Sequence, residues 1–273
     1  MKVHHLNCGT FRPPGGRLLD GTGGLLQRAE LVCHCLLLET DSGLVLVDTG
    51  FGTQALTRPG PWLGALRHVL GAKPVPAENA IAHVRRLGHD PRDVRHIVLT
   101  HLDMDHAGGL ADFPEATVHV YAEEHRAATE PRGFTEKSRY RAVQFAHSPK
   151  WTTYETAGEP WFGFDAVREL AGLGSQILLV PLAGHTNGHA GVAVDTGDGW
   201  LLHAGDSYFH FGQLDPTRPH CPPLLAGFQE VVQMNRANRL NNIERLRELY
   251  AEHGDEVTVF SAHNSAELRS ARR

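Results

Sequence analysis

Four apolar, strand-like segments of this 273-residue chain are each followed within four residues by histidine or aspartate. The segments are residues 95–100, 177–181, 200–204 and 257–261. Layered α/β folds deliver the loops after their strands to one edge of a sheet, and binding and catalytic residues gather at such edges. The recurrence therefore predicts one functional site built from four strand ends, and chance explains it poorly.

The densest of these loops is HLDMDHAGG, residues 101–109. It carries four candidate metal ligands within six residues, which are His101, Asp103, Asp105 and His106. Imidazole and carboxylate groups together suit zinc, iron or manganese, and a loop lets them converge on one point. The alternative is a polar turn in which Asp103 or Asp105 only caps a helix.

Three shorter loops strengthen the metal hypothesis. His185 lies in the stretch GHTNGH, Asp206 follows the strand-like segment 200–204, and His263 follows the last one. Each of these loops comes directly after an apolar run, as the first does. His189, four residues beyond His185, is expected to hydrogen-bond close to the ligands and to support them.

The remaining pattern interleaves strands and helices in two similar halves. Apolar runs at 31–39 and 44–48, joined by Thr-Asp-Ser-Gly, predict a β-hairpin. A helix that stops at Gly88 precedes the strand at 95–100, and a helix with an apolar stripe precedes the last strand. Because a single core stops growing at roughly 250–300 residues, we expect one α/β domain over residues 1–273.

Residues 126–174 break this pattern. The segment is polar at first and then holds five aromatic residues, Trp151, Tyr154, Trp161, Phe162 and Phe164. We interpret it as an insertion that forms a lid or pocket wall with an apolar lining for the substrate. The alternatives are that these aromatic residues pack the insertion onto the body of the domain or form a homodimer contact.

Composition excludes several classes of partner. The formal net charge of −5 at pH 7 argues against a nucleic-acid-binding protein, which needs a basic patch to contact phosphates. The sequence has neither the apolar core of a signal peptide nor about 18 consecutive apolar residues, so no membrane partner is expected. The four cysteines form no C-x-x-C pair. We expect a cytoplasmic protein whose partner is a small-molecule substrate.

The sequence resembles the metallo-β-lactamase superfamily. The likeness rests on the H-x-H-x-D-H-like stretch 101–106, on His185, Asp206 and His263 in the family's order, and on Val-Asp-Thr-Gly at 47–50. It implies an α/β fold, an αββα sandwich of two mixed β-sheets with helices on the outer faces and a dinuclear metal centre. Within the superfamily the chain looks most like the N-acyl homoserine lactonase branch.

The resemblance implies two divalent metal ions held by seven side chains. The first ion would take His101, Asp103 and His185, the second would take Asp105, His106 and His263, and Asp206 would bridge them. Asp103 stands where the family usually has a second histidine. A carboxylate at this position favours iron or manganese over zinc. The alternative is that Asp103 does not reach the metal.

The resemblance also implies catalytic roles. Two metals activate a bridging water, and Asp105 would guide its proton to the leaving group. The lactonases carry a tyrosine three residues after the bridging aspartate, where this chain has Phe209. Tyr208 is therefore the candidate donor to the substrate carbonyl, with His210 as the alternative, although Tyr208 fits a packed aromatic equally well. Asp48 resembles a residue that braces the metal loop.

The predicted activity is hydrolysis of an ester-type carbonyl, most readily a lactone such as an N-acyl homoserine lactone, which would be a quorum-quenching reaction. A thioesterase of the glyoxalase II type or a phosphodiesterase would use the same centre. A non-enzymatic alternative is a metal-bound sensor or effector that has lost turnover. The aspartate at 103 and the phenylalanine at 209 are the reasons for keeping this last alternative open.

Overall fold

Each half of the chain forms one of two six-stranded sheets. The structure is a computed structural model that describes the backbone of residues 1–273 and every side chain except that of Leu66. The strands are β1 (Lys2–Phe11), β2 (Leu31–Thr40), β3 (Gly43–Val47), β4 (Val94–Val98), β5 (Thr117–Tyr121), β6 (Lys150–Tyr154), β7 (Glu159–Trp161), β8 (Phe164–Leu170), β9 (Gly174–Pro181), β10 (Ala190–Asp195), β11 (Trp200–His203) and β12 (Val257–Phe260).

Both sheets are mixed. The first has the order β1-β2-β3-β4-β5-β6, in which β1 to β3 are antiparallel and β3 to β6 are parallel. The second has the order β12-β11-β10-β9-β8-β7, with a parallel pair only between β11 and β12. The predicted hairpin is present as β2 and β3. The polar strand β1 was not predicted, because its histidines and asparagine hide the alternation.

Helices cover the outer faces of the two sheets. They are α1 (Gln54–Thr57), α2 (Pro59–Leu63), α3 (Leu66–Val69), α4 (Ala80–Arg86), α5 (Ala122–Thr129), α6 (Gly133–Arg139), α7 (Pro223–Val232), α8 (Arg236–His253) and α9 (Ser265–Ala271). Among the residues that the structure describes, none of these helices combines the length and the apolar character needed to cross a membrane.

Alternation along the strands separates the layers. Leu36 and Leu38 of β2 pack between the sheets, against Leu179 and other residues of the second sheet. Leu37, between them in sequence, faces the opposite way and packs with Val84 of α4. On the far side, α8 packs on the second sheet through its buried apolar stripe. Side chains at i and i+2 share a face of a strand, so this pattern produces the predicted four-layered αββα sandwich.

The segment 126–174, for which the sequence predicts a lid or pocket wall, contributes strands to both sheets. Its strand β6 pairs with β5 in the first sheet, and β7 and β8 form the edge of the second sheet. Its aromatic residues pack onto the body, as with Trp161, whose ring centroid lies 5.4 Å from that of Trp200. These edge strands escaped prediction because they are half-buried, so their apolar alternation is weak.

Candidate metal centre

The loops after β4, β9, β11 and β12 bring their histidines and aspartates together, as the sequence predicted. All seven proposed metal ligands lie in one buried cluster, in which the nearest donor atoms are 3.1–3.8 Å apart. For metal–ligand bonds of about 2.1 Å, the corners of a tetrahedron lie about 3.4 Å apart. The spacing of the donor atoms therefore fits metal coordination.

One group of donors, the second donor set, consists of Asp105, His106, Asp206 and His263. Oδ1 of Asp206 lies 3.3 Å from Nε2 of His106 and 3.1 Å from Nε2 of His263. Oδ2 of Asp105 completes the set at 3.6 Å and 3.4 Å from the same two nitrogens. Two imidazoles and two carboxylates at these distances suit a divalent transition metal.

The other group, the first donor set, consists of His101, Asp103, His185 and Asp206. Oδ2 of Asp103 lies 3.3 Å from Nε2 of His101 and 3.2 Å from Nε2 of His185. Oδ2 of Asp206 is 3.3 Å from the His185 nitrogen. Asp103 therefore reaches the donor atoms of its set. Oδ2 of Asp206 also lies 3.2 Å from Nε2 of His263 in the second set, so this carboxylate stands between the two sets, where a bridging carboxylate is needed.

Several donor atoms are buried and unsatisfied. Among the described side chains, Nε2 of His101, Nε2 of His106 and Oδ1 of Asp206 are buried and have no hydrogen-bond partner. Buried polar atoms are normally paired, because an unpaired one costs about 1–3 kcal/mol. These three atoms point into the two donor sets, so a bound cation would satisfy them.

Asp48 orients two of the histidines. Its Oδ2 accepts hydrogen bonds from Nδ1 of His106 at 2.7 Å and from the Thr100 hydroxyl at 2.8 Å. The Thr100 hydroxyl oxygen in turn lies 3.0 Å from Nδ1 of His101. With Nδ1 donating, Nε2 of each ring keeps its lone pair for a metal. This agrees with the bracing role expected of Asp48.

His189 and a glycine position Asp206. The backbone N–H of Asp206 donates to Nε2 of His189 at 2.9 Å, and Nδ1 of that ring donates to the Leu182 carbonyl at 3.0 Å. Gly205 has φ +53, and a Cβ there would lie 2.5 Å from Nε2 of His189. A side chain at position 205 would collide with His189, so glycine is required before Asp206. His189, which hydrogen-bonds the backbone of Asp206, therefore has the supporting role that the sequence predicted.

Three residues at the centre were not identified from the sequence. Buried Glu124 of α5 accepts hydrogen bonds from the backbone N–H groups of Leu102 and Gly188, and thereby ties two metal-bearing loops together. Sγ of Cys33 lies within 4.8 Å of donor atoms of Asp105 and His263. Arg139, the third, comes from α6. Cys33 lies inside β2 and Arg139 at the end of α6, whereas Glu124 does follow β5 by three residues but belongs to a helix, so the pattern of His and Asp loops did not mark any of the three.

The Arg139 guanidinium forms an ion pair with Asp103. Its Nε and Nη2 donate to the two oxygens of Asp103 at 2.6 Å and 2.5 Å, and Nη2 also lies 2.6 Å from Nε2 of His185. Burial alone would raise the pKa of Asp103, but Arg139 and then His101 outweigh it and hold that pKa well below its ordinary value. Asp103 is therefore an anion in this structure.

The centre carries excess negative charge. Its four carboxylates belong to Asp48, Asp103, Asp105 and Asp206. Burial raises the pKa of Asp105. Burial alone would lower the pKa of His106, but Asp206 and Asp105 outweigh it and raise that pKa well above its ordinary value. Buried negative charge needs compensation, which Arg139 and a protonated His106 provide in part and which divalent cations at the donor sets would provide instead.

The structure does not bring Tyr208 to the metal centre. Its side chain is fully buried with the residues of the second sheet and α8, and its hydroxyl donates to Oε1 of Glu267 at 2.8 Å. This corrects the expectation of a substrate donor, because the hydroxyl is already engaged inside the core. Phe209 instead reaches the centre, with its ring centroid 5.9 Å from that of His185 and 5.0 Å from that of His263.

His210 lies beside this position but is also engaged. Its Nδ1 accepts a hydrogen bond from the backbone N–H of Gly212 at 3.1 Å. Together with Phe209 and His263, it lines a narrow cleft whose opposite side is formed by Asp20 and Thr22. The cleft next to the second donor set is therefore partly aromatic and partly polar.

Comparison with known proteins agrees with this geometry. The family model described as the metallo-beta-lactamase superfamily matches residues 28–249. The probable metallo-hydrolase Rv2300c of Mycobacterium tuberculosis is 45% identical over 264 residues, which cover 97% of this chain and 80% of that protein. An N-acyl homoserine lactonase from a Bacillus species is 26% identical over 96% of this chain and 95% of its own length.

Solved structures show the same fold. A variant of the Bacillus thuringiensis lactonase AiiA with N-decanoyl-L-homoserine at its active site superposes with a TM-score of 0.72 at 21% identity, covering 98% of this chain and 95% of that one. AidC, a dizinc quorum-quenching lactonase, gives a TM-score of 0.62 at 16% identity and covers 96% and 86%. With the αββα sandwich and the matched family model, these likenesses identify the chain as a member of the metallo-beta-lactamase superfamily.

Proposed function

We propose that this chain is a metal-dependent hydrolase that opens the ester bond of a lactone of the N-acyl homoserine lactone type. The observation that carries the proposal is Asp206, whose two oxygens face two sets of buried donors. The similarity to an N-acyl homoserine lactonase over 96% of the chain supports the choice of substrate. The Gly-His and Gly-Asp loops of this chain also occur in the same order along the sequence as in the superfamily that it resembles.

Protein side chains account for much of the proposed reaction. When bound, a divalent metal polarises the substrate carbonyl and lowers the pKa of a coordinated water towards neutrality. Asp105 would accept the proton that the attacking water loses and would pass it to the leaving alkoxide. The side chain of Asp105 is 11% exposed, against 4% for Asp206, so Asp105 is the more accessible of the two carboxylates. General acid–base transfer of this kind contributes about 10²–10⁴-fold to a rate.

Phe209 forms the wall of the proposed substrate site. Its ring packs edge-on against both His185 and His263, and it lines the cleft with His210. An apolar ring here excludes water from the reacting carbonyl and offers a surface to an acyl chain. Because phenylalanine has no hydroxyl, Phe209 would not donate a hydrogen bond to the developing negative charge as the tyrosine of the lactonases would.

The metal itself is part of the proposal. Because Asp103 adds a carboxylate to the first donor set, we expect iron or manganese to be preferred over zinc. Elemental analysis of protein purified without added metal would test this. Zinc as the dominant metal after growth in a medium with balanced metals would contradict the preference.

The substrate class is tested by comparing three groups of compounds. Metal-loaded protein is offered N-acyl homoserine lactones, acyl thioesters and aryl phosphodiesters, with His106→Ala as the variant lacking a ligand. We expect lactone opening, followed as acid release, to have the highest kcat/KM and to be lost in the variant. If thioesters or phosphodiesters are hydrolysed faster than lactones, that class of compound is the substrate class instead. If none of the three groups of compounds is hydrolysed but a small ligand raises the Tm of the protein, the result would favour a sensor.

A further inference from the structure

Arg139 contacts two members of the first donor set, Asp103 and His185. Its Nη2 lies 2.5 Å from Oδ2 of Asp103 and 2.6 Å from Nε2 of His185, and Nη1 donates to the Val232 carbonyl at 2.5 Å. The side chain is 13% exposed. Partners from three separate parts of the chain thus hold the guanidinium in one orientation against two metal-ligating atoms.

A guanidinium and a metal compete for these atoms. An imidazole nitrogen accepts a hydrogen bond with the same lone pair that it gives to a metal. Nε2 of His185 therefore serves either Arg139 or a metal ion. Among the side chains described, no arginine or lysine contacts the second donor set: Nε2 of His106 and Oδ1 of Asp206 have no hydrogen-bond partner, and Nε2 of His263 contacts only Asp105 and Asp206.

The cation also persists across the accessible pH range. An arginine guanidinium stays protonated in proteins, so it is present at every accessible pH. Arg139 and Asp103 are thus a matched pair: the carboxylate that replaces the usual histidine is the group that holds the guanidinium. A histidine at position 103 would offer no anionic partner.

We propose that Arg139 competes with metal for the first position, so that the second position binds its metal first and more tightly. The first position fills only after the guanidinium has moved away from Nε2 of His185. Metal occupancy is thereby set by a residue of α6, which lies within the segment 126–174. This inference rests on the metal centre of the proposed function and is independent of the lactone substrate.

Titration of metal-free protein against a chromophoric chelator tests the proposal directly. Wild-type protein should bind two Zn²⁺ ions in steps whose affinities differ by about tenfold or more. Arg139→Met keeps an apolar stem and removes the cation, so the weaker step should tighten by about tenfold or more. The matched control is Arg141→Met, because Arg141 bonds the Pro61 carbonyl, away from the donor sets. The control should retain the wild-type difference.

Two results would overturn the proposal: equal affinities in wild-type protein, or a weaker step that Arg139→Met leaves unchanged or weakens further. Circular dichroism checks that each variant folds. If Arg139→Met does not fold, Arg139→Lys replaces it, since an ammonium lacks the fork that spans two acceptors. A smaller tightening is then expected, and no tightening overturns the proposal. Lactone turnover is measured separately, so unequal binding steps without turnover would contradict only the proposed function.

Discussion

The carboxylate of Asp48 accepts a 2.7 Å hydrogen bond from Nδ1 of His106 and leaves Nε2 of that ring directed at the second donor set. Asp48 has a positive φ of 56°, a conformation that costs a non-glycine residue of order 1–3 kcal/mol. Its backbone N–H donates to the Val98 carbonyl, at the end of β4. The surrounding sheet thus maintains an unfavourable backbone conformation that aims one carboxylate at a metal ligand.

Asp48→Asn should weaken metal binding at the second position. The wild-type carboxylate accepts three hydrogen bonds, from His106 Nδ1 and from the backbone and hydroxyl of Thr100. An asparagine offers a donor where one of those bonds needs an acceptor, so the His106 ring loses its fixed orientation. We expect metal affinity to fall about 10–100-fold. Chelator competition measures this, with Asp41→Asn in an exposed turn as the control. Unchanged affinity would remove Asp48 from the site.

The strand-end pattern was sufficient to predict the location of the site. The position of a loop that follows an apolar run, such as the loop from His101 or the one at Asp206, is determined by the local sequence and by the edge of the sheet to which its strand belongs. Tertiary packing determines which side chains of other helices and strands contact that loop. Arg139 and Glu124 come from helices whose sequences resemble ordinary polar surface, so neither could be predicted.

Tyr208 illustrates the same limit within a single loop. Family spacing placed a donor near this residue, but whether its hydroxyl faces the cleft or the core depends on the turn after Asp206. In the structure Tyr208 packs into the core between the second sheet and α8, whereas the buried ring of Phe209 is directed towards His263. One residue of displacement reverses the direction of a side chain in an extended segment, and no feature of the sequence specifies that displacement.

Asp206→Ala should remove metal from both positions. Because the Asp206 carboxylate contacts donors of both sets, one substitution takes a ligand from two ions and also removes negative charge that balances them. We expect metal content and activity to be lost together. Elemental analysis after gel filtration provides the measurement, and Asp198→Ala, at an exposed turn, is the control. Full metal content in the Asp206 variant would show that it is not a bridge.

Glu267 should make stability fall as pH rises. Burial raises its pKa to about 7 from the ordinary 4.5, although hydrogen bonds from Ser261 and Tyr208 oppose the shift. Between these two values the folded protein holds a proton that the unfolded chain has released. The free energy of unfolding therefore decreases across this window by about 3 kcal/mol.

Glu267→Gln removes that titration while keeping the shape of the protonated acid. Relative to wild type, the variant should gain about 3 kcal/mol between pH 5 and pH 9. Urea unfolding of both proteins in the same metal-free state measures the difference in their free energies of unfolding. Contributions from the titration of all other groups are the same in both proteins and cancel in this difference. Glu252→Gln, exposed on α8, serves as the control. A difference that stays constant with pH would mean that Glu267 is already ionised at pH 5.

Phe209→Tyr should raise lactone hydrolysis. The ring lies against His185 and His263 at the position where the lactonases carry tyrosine, so a hydroxyl there would extend towards the substrate carbonyl. Removing such a donor from other enzymes costs about 10²–10³-fold in kcat. Because the loop around Phe209 does not fix the position of a hydroxyl, we expect a smaller gain of about tenfold in kcat, with little change in KM. The nearby and half-exposed Phe211→Tyr is the matched control. Equal kcat values at equal metal content would show that the Phe209 ring does not face the reacting carbonyl, and would leave the metal as the sole stabiliser of the developing charge.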